Sequence, residues 1–104
     1  MGVTIGIVGA AEGERLNLDF THLDYGDFLG ALAAAAAPGD EALCRLLGCE
    51  ATDEISPADC ARLAPRLRHL AGRLTDERFR VKAIRLAGGM ETAARAGKPL
   101  SIGL

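Results

Sequence analysis

The stretch from Ser56 to Leu74, SPADCARLAPRLRHLAGRL, permits little besides a two-faced helix. Ser56 is a natural N-cap and Pro57 suits the first helical position. Asp59 then sits near the positive end of the helix dipole. At about 100° per residue, Cys60, Leu63, Ala64, Leu67, Leu70, Ala71 and Leu74 share one face. Arg62, Arg66, His69 and Arg73 share the other. The helix therefore needs a partner layer for its apolar seam and presents a cationic ridge on its far side. Pro65 lies inside it and is a candidate kink.

That layer must come from the same short chain. At 104 residues the expectation is a single domain spanning 1–104. The chain has no Trp, three Phe and one Tyr, so Ala and Leu must build most of the core, which favours close helix packing. No apolar run approaches the roughly 18 residues of a membrane span. The apolar stretch near the N-terminus lacks a basic segment before it, which disfavours a secretion signal and makes a cytoplasmic protein the expectation. The cysteines, Cys44, Cys49 and Cys60, are odd in number and show no framework spacing, which argues against a disulfide fold. Cys60 falls in the apolar seam, Cys44 beside Leu43 and Leu47, and Cys49 in a polar stretch where it is expected to be accessible.

The net charge of −2 conceals a strong asymmetry. Residues 1–56 carry two Lys/Arg against ten Asp/Glu, and residues 57–104 carry ten against four. Such a division suits an anionic partner. It equally suits two halves that neutralise each other within one domain or across a dimer.

Along the chain, VTIGIV (3–8) is β-branched and apolar, as a strand requires. GAAEGE reads as a turn. Leu16, Leu18 and Phe20 alternate with polar residues, so the second strand should form a hairpin with the first. A first helix is expected from Asp24 to Ala37, with Tyr25, Phe28, Leu29 and Leu32 inward and Pro38-Gly39 as its end. A short helix follows over 41–47, with Leu43, Leu46 and Leu47 on one side, and then a polar loop to Ile55. Beyond the capped helix, Thr75 is the expected cap of a last helix. Phe79, Ala83, Leu86, Met90, Ala93 and Ala94 form its apolar stripe, and Arg78, Lys82 and Arg85 form a second basic face. Gly88-Gly89 inside this helix costs about 1 kcal/mol per glycine relative to Ala, which implies a close neighbour or a bend. Gly97 and Pro99 close it. Leu100, Ile102 and Leu104 alternate as a terminal strand would. The fold class expected is α+β: an N-terminal β-hairpin, with the C-terminal strand as a candidate addition, packed on three main helices.

In its second half, ISPADCARLAPRLRHL followed by LAGGMETAARAGKPL resembles a family of small uncharacterised actinobacterial proteins. The shared order is Ser/Thr-Pro, an acid and Cys, then Ala-Pro-Arg-Leu-Arg. It closes on Leu-Ala-x-Gly-Met-x-x-Ala-Ala-x-x-Gly-x-Pro-Leu. These map onto Ser56 to Cys60, Ala64 to Arg68 and Leu86 to Leu100, about half the chain. Tyr25, Gly26 and Phe28 are similar to an aromatic patch before the family's first helix. The resemblance implies a class and no activity. In that family the loop before the capped helix resembles a truncated EF-hand. Here Glu50, Thr52 and Asp59 would supply oxygens, but Gly48 replaces the first ligand and Asp53 the glycine the turn requires, so no calcium site is expected.

Other chemistry is thinly signalled. Asp19, His22, Asp24 and Tyr25 cluster after the second strand, and a His among carboxylates suits a base or a ligand pocket. No nucleophile accompanies them, so no catalytic residue is assigned. The cysteines offer no zinc-like spacing, and neither a metal nor a cofactor is expected. The glycines at 6, 9 and 13 lead into a strand, where no helix N-terminus waits for a phosphate. Arg62, Arg66, His69, Arg73, Arg78, Lys82 and Arg85 are the candidate partner-binding residues. The acidic pI and the lack of stacking aromatics disfavour nucleic acid. The expectation is a small non-enzymatic interaction module that binds a second copy of itself or an acidic protein. The rival is a small-molecule or nucleotide-binding protein, or an enzyme, using the region of His22, Asp24 and Tyr25.

Overall fold

A computed structural model describes residues 2–48 and 54–103, with positions 45 and 46 described in backbone only. The strands are β1 (Gly2–Ile7), β2 (Leu18–Thr21), β3 (Glu54–Ile55) and β4 (Leu100–Gly103). The helices are α1 (His22–Ala35), α2 (Glu41–Gly48), α3 (Pro57–Ala71) and α4 (Glu77–Ala96). The fold is α+β, as the sequence patterns predict.

All strand pairings are antiparallel and the order is β2-β1-β4-β3. The expected hairpin forms with Val3 opposite Phe20 and Ile5 opposite Leu18. The C-terminal strand joins β1 on its other side, Ile5 opposite Ile102 and Ile7 opposite Leu100. One difference from expectation is β3, in a stretch read as loop: Ile55 pairs with Leu100 and is buried. The strands alternate, as a half-covered sheet must. Val3, Ile5, Ile7, Leu18, Phe20, Leu100 and Ile102 are buried. On the opposite face Gly2, Thr4, Gly6, Ser101 and Gly103 retain exposure. Helices cover one face and leave the other open.

The capped helix starts as read but ends at Ala71 with Gly72 as its C-cap, so Arg73 and Leu74 lie beyond it and Arg73 is not on the helical ridge. Ser56 Oγ accepts the Asp59 N–H at 3.2 Å. Cys60, Leu63, Ala64, Leu67, Leu70, Ala71 and Leu74 are all buried, and α3 runs unbroken through Pro65. Burial pushes the Cys60 thiol up to about 11. The start of α1 and the cap of α4 differ from expectation by two residues and one. Thr21 caps α1, its Oγ1 accepting the Asp24 N–H, so the helix starts at His22 and not at Asp24. Asp76, not Thr75, caps α4 by accepting the Arg78 N–H at 2.9 Å. An N-cap side chain reaches the amides two or three residues on, and Thr21 and Asp76 are the residues so placed. Gly97, at φ +66°, ends α4 with its N–H on the carbonyls of Ala93 and Ala94.

All four aromatic rings form one cluster. Phe20 meets Tyr25 edge-on at 5.1 Å and Phe28 at 5.0 Å, and Phe28 meets Phe79 at 5.9 Å. They join β2, α1 and α4. The glycine pair in α4 has the close neighbour that its cost implies. A Cβ on Gly89 would stand 2.4 Å from Leu16 Cδ2, whereas one on Gly88 would meet only Arg68 Nη2, at 3.7 Å. Cys49, the loop with Glu50, Thr52 and Asp53, and the Leu46 side chain lie outside the described residues.

Candidate interaction surface

The seven residues expected to bind a partner go to separate places. Arg62, Arg66 and His69 border a recess of about 520 Å³ with Ala37, Pro38, Asp40 and Pro65. Arg73 lies at another recess, of about 260 Å³, between α1 and the start of α4. Arg78, Lys82 and Arg85 run along α4 on the side of β2. The α3 and α4 sets do not line a common recess among the described residues.

Most of these heads are bonded within the chain. Arg62 pairs with Asp59 at 3.0 Å and Arg78 with Asp76 at 3.0 Å. The Arg78 guanidinium holds the Asp76 carboxyl below the usual carboxylate range. Arg73 donates to the Ala35 carbonyl at 3.1 Å. Lys82 donates to the Asp19 carbonyl and sits 4.3 Å from the centre of the Phe20 ring. Arg85 donates to the Asn17 carbonyl at 2.9 Å. Residues 17 and 19 are two apart at the outer strand of the sheet, so their carbonyls point the same way. Two cations thus occupy a strand edge that would otherwise invite another strand. His69 is exposed, without a bonded partner among the described residues.

Arg66 does the most for the fold. Asp40 is only 5% exposed. Its Oδ2 accepts the Ala37 N–H at 2.9 Å and its Oδ1 accepts Arg66 Nη1 at 3.2 Å. The turn amide first, and then Arg66, hold the Asp40 carboxyl below the usual range. Gly39, at φ +98°, makes room: a Cβ there would stand 2.8 Å from Arg66 Nη1. Arg66 to Asp40 and Lys98 to Glu14, at 2.7 Å, both tie the basic half to the acidic half inside one molecule.

The second cluster is divided as well. Asp19 and Asp24 line a recess of about 450 Å³ with Gly2, Phe20, Thr21 and Lys82. Asp19 Oδ1 accepts the Thr4 hydroxyl at 3.0 Å. His22 is exposed on the first turn of α1 and is not among the residues lining that recess. Tyr25 is buried in the aromatic cluster, its hydroxyl donating to the Leu47 carbonyl. Among the described residues no group of three His, Cys, Asp or Glu is placed to hold a metal, and no helix is long and apolar enough to cross a membrane.

A surface not singled out from the sequence lies on the outer side of α4. Phe79, Ala83, Leu86, Ala87, Met90 and Ala93 turn inward. Val81 and Ile84 do not: they are 50% and 45% exposed, one helical turn apart. Gly88 continues their line, and Glu77 and Arg95 stand at its two ends. The signal was present in the sequence, since both β-branched residues fall outside the predicted apolar stripe. Arg68 borders this line, its guanidinium held by Glu91 through two 2.7 Å hydrogen bonds. No family model, curated protein or solved structure matches the chain.

Proposed function

We propose that this protein is a small, non-enzymatic interaction module that associates with a second copy of itself. The observation that carries the reading is the Val81–Ile84 pair, two large apolar side chains left in water on a helix whose other large apolar residues are buried. Single exposed apolar residues are ordinary, as Leu23 is here; Val81 and Ile84, one helical turn apart, instead form a small continuous apolar strip. The contact proposed is the apolar face of α4 rather than the basic residues. Much of the basic half is already bonded to its own chain, so an incoming acidic surface would have to displace existing partners.

A second reading, small-molecule binding, is favoured by one observation: the Asp19 and Asp24 carboxylates and Lys82 line the same recess. It has the weaker support, because the Lys82 head is committed to the Asp19 carbonyl and to the Phe20 ring. Sedimentation velocity over a dilution series tests the leading reading. The protein should move from dimer to monomer on dilution, and Ile84→Asp should be monomeric at concentrations where the parent is dimeric. A monomer at every concentration refutes self-association.

A further inference from the structure

We infer that the dimer is a two-fold, antiparallel pairing of α4 helices in which Ile84 of each copy seats over Gly88 of the other. This rests on the self-association reading and adds its geometry. The outer residues Glu77, Val81, Ile84, Gly88, Glu91 and Arg95 are spaced by four, three, four, three and four. That is the rhythm of a helix seam that keeps facing one partner helix. A two-fold axis requires one patch to complement itself. Placed at the level of Leu86, the axis sets residue 84 opposite 88, 81 opposite 91 and 77 opposite 95.

Each of those pairings is chemically matched. Ile84, the seam's largest apolar residue, meets the one position that has no side chain. Gly88 has open space around it apart from Arg68 Nη2, so a side chain can enter between the helices there. The guanidinium of Arg68, fixed by Glu91, forms one wall of that notch. Val81 meets the stem of Glu91, whose carboxylate is already neutralised by Arg68. Glu77 meets Arg95, giving two attractive pairs per dimer, one at each end. Arg85, which flanks the seam, is turned aside to the Asn17 carbonyl and so is drawn away from its own symmetry mate.

A parallel pairing fits less well. It would place Ile84 on Ile84, leave the two glycines facing each other, and stack Glu77 on Glu77 and Arg95 on Arg95. Like charges in register oppose such a contact. A seam of one helix per copy is at the small end of specific interfaces, so the dimer should be reversible and sensitive to concentration.

Charge reversal separates the orientations. Glu77→Arg or Arg95→Glu alone places two like-charged pairs in the antiparallel seam and should weaken dimerisation about tenfold. The double reversal restores both pairs and should recover most of the affinity. Gly88→Leu, whose Cβ would meet only Arg68 Nη2, at 3.7 Å, should abolish the dimer by filling the notch. Circular dichroism and a thermal melt of each variant check that the protomer is folded. A parent that dimerises while both single reversals and Gly88→Leu leave its association constant within twofold overturns this geometry and leaves self-association standing. A parent that is monomeric at every concentration overturns both.

Discussion

The adjacent glycines of α4 make opposite predictions from the same chemical change. Gly→Ala inside a helix gains about 1 kcal/mol from the lower backbone entropy of the unfolded chain and from better propensity. At Gly88 that gain should appear in full, because the new methyl would meet only Arg68 Nη2 at 3.7 Å, an ordinary contact. At Gly89 the methyl would stand 2.4 Å from Leu16 Cδ2, 3.1 Å from its Cγ and 3.2 Å from its Cδ1. The whole branched head of Leu16 must then swing away, and overpacking of this kind costs about 1–3 kcal/mol. Gly88→Ala should therefore be stabilised by about 1 kcal/mol and Gly89→Ala unchanged or destabilised by up to about 2 kcal/mol. The assay is urea unfolding at a concentration low enough to keep the protein monomeric, so that the seam does not enter. Measured against Leu16→Ala alone, the added Gly89→Ala should show the helix gain, because the clash is gone. Equal stabilisation by the two single substitutions would refute the close approach of Leu16 to α4.

Three further outcomes follow from side chains that lock the fold. Asp40→Ala removes the acceptor of the Ala37 amide and the partner of Arg66, and should cost about 2 kcal/mol at neutral pH. Because the folded pKa of Asp40 lies below its unfolded value, its contribution is full above about pH 4 and fades as the pH falls towards the folded value. Urea melts of parent and variant should therefore converge in acid and separate at neutral pH. Ser56→Ala should lower stability by about 1 kcal/mol through loss of the α3 cap, read by the same melt. Cys60, fully buried and with its thiol pushed up to about 11, should resist thiol reagents until the protein unfolds. Rapid labelling of native Cys60 would mean that the α3 seam is exposed.

Local signals were legible wherever the chain writes a period or a cap. The α3 seam is buried at every residue that the helical repeat selects, from Cys60 to Leu74. The α4 stripe is likewise buried from Phe79 to Ala93, and the hairpin strand β2 and the C-terminal strand β4 both join β1. Strand β3 was not legible because two residues carry no periodicity, and their pairing depends on Leu100 and Ser101, over forty positions away. The work of the basic residues was hidden for the same reason. Lys82 and Arg85 stand on a helix face that reads as a solvated ridge, and only the folded chain brings the carbonyls of Asp19 and Asn17 beneath them. Asp40 reads as a turn residue, and nothing local announces that Arg66 will close over it. The separation of His22 from Asp19 and Asp24 came from the Thr21 cap, which turns His22 into the first turn of α1. Val81 and Ile84 are the converse case, visible in the sequence as apolar residues off the stripe, with a meaning that depends on how completely the rest is buried.

The most direct test of self-association through α4 is a series of amide correlation spectra recorded over a wide dilution range. Concentration-dependent shifts should fall on Val81, Ile84, Gly88 and their neighbours, with the ends at Glu77 and Arg95 included. The recess around Arg66 and His69 should stay silent. Spectra that do not change with concentration, or changes centred on Thr4, Gly6 and Ser101 of the uncovered sheet face, would contradict the account.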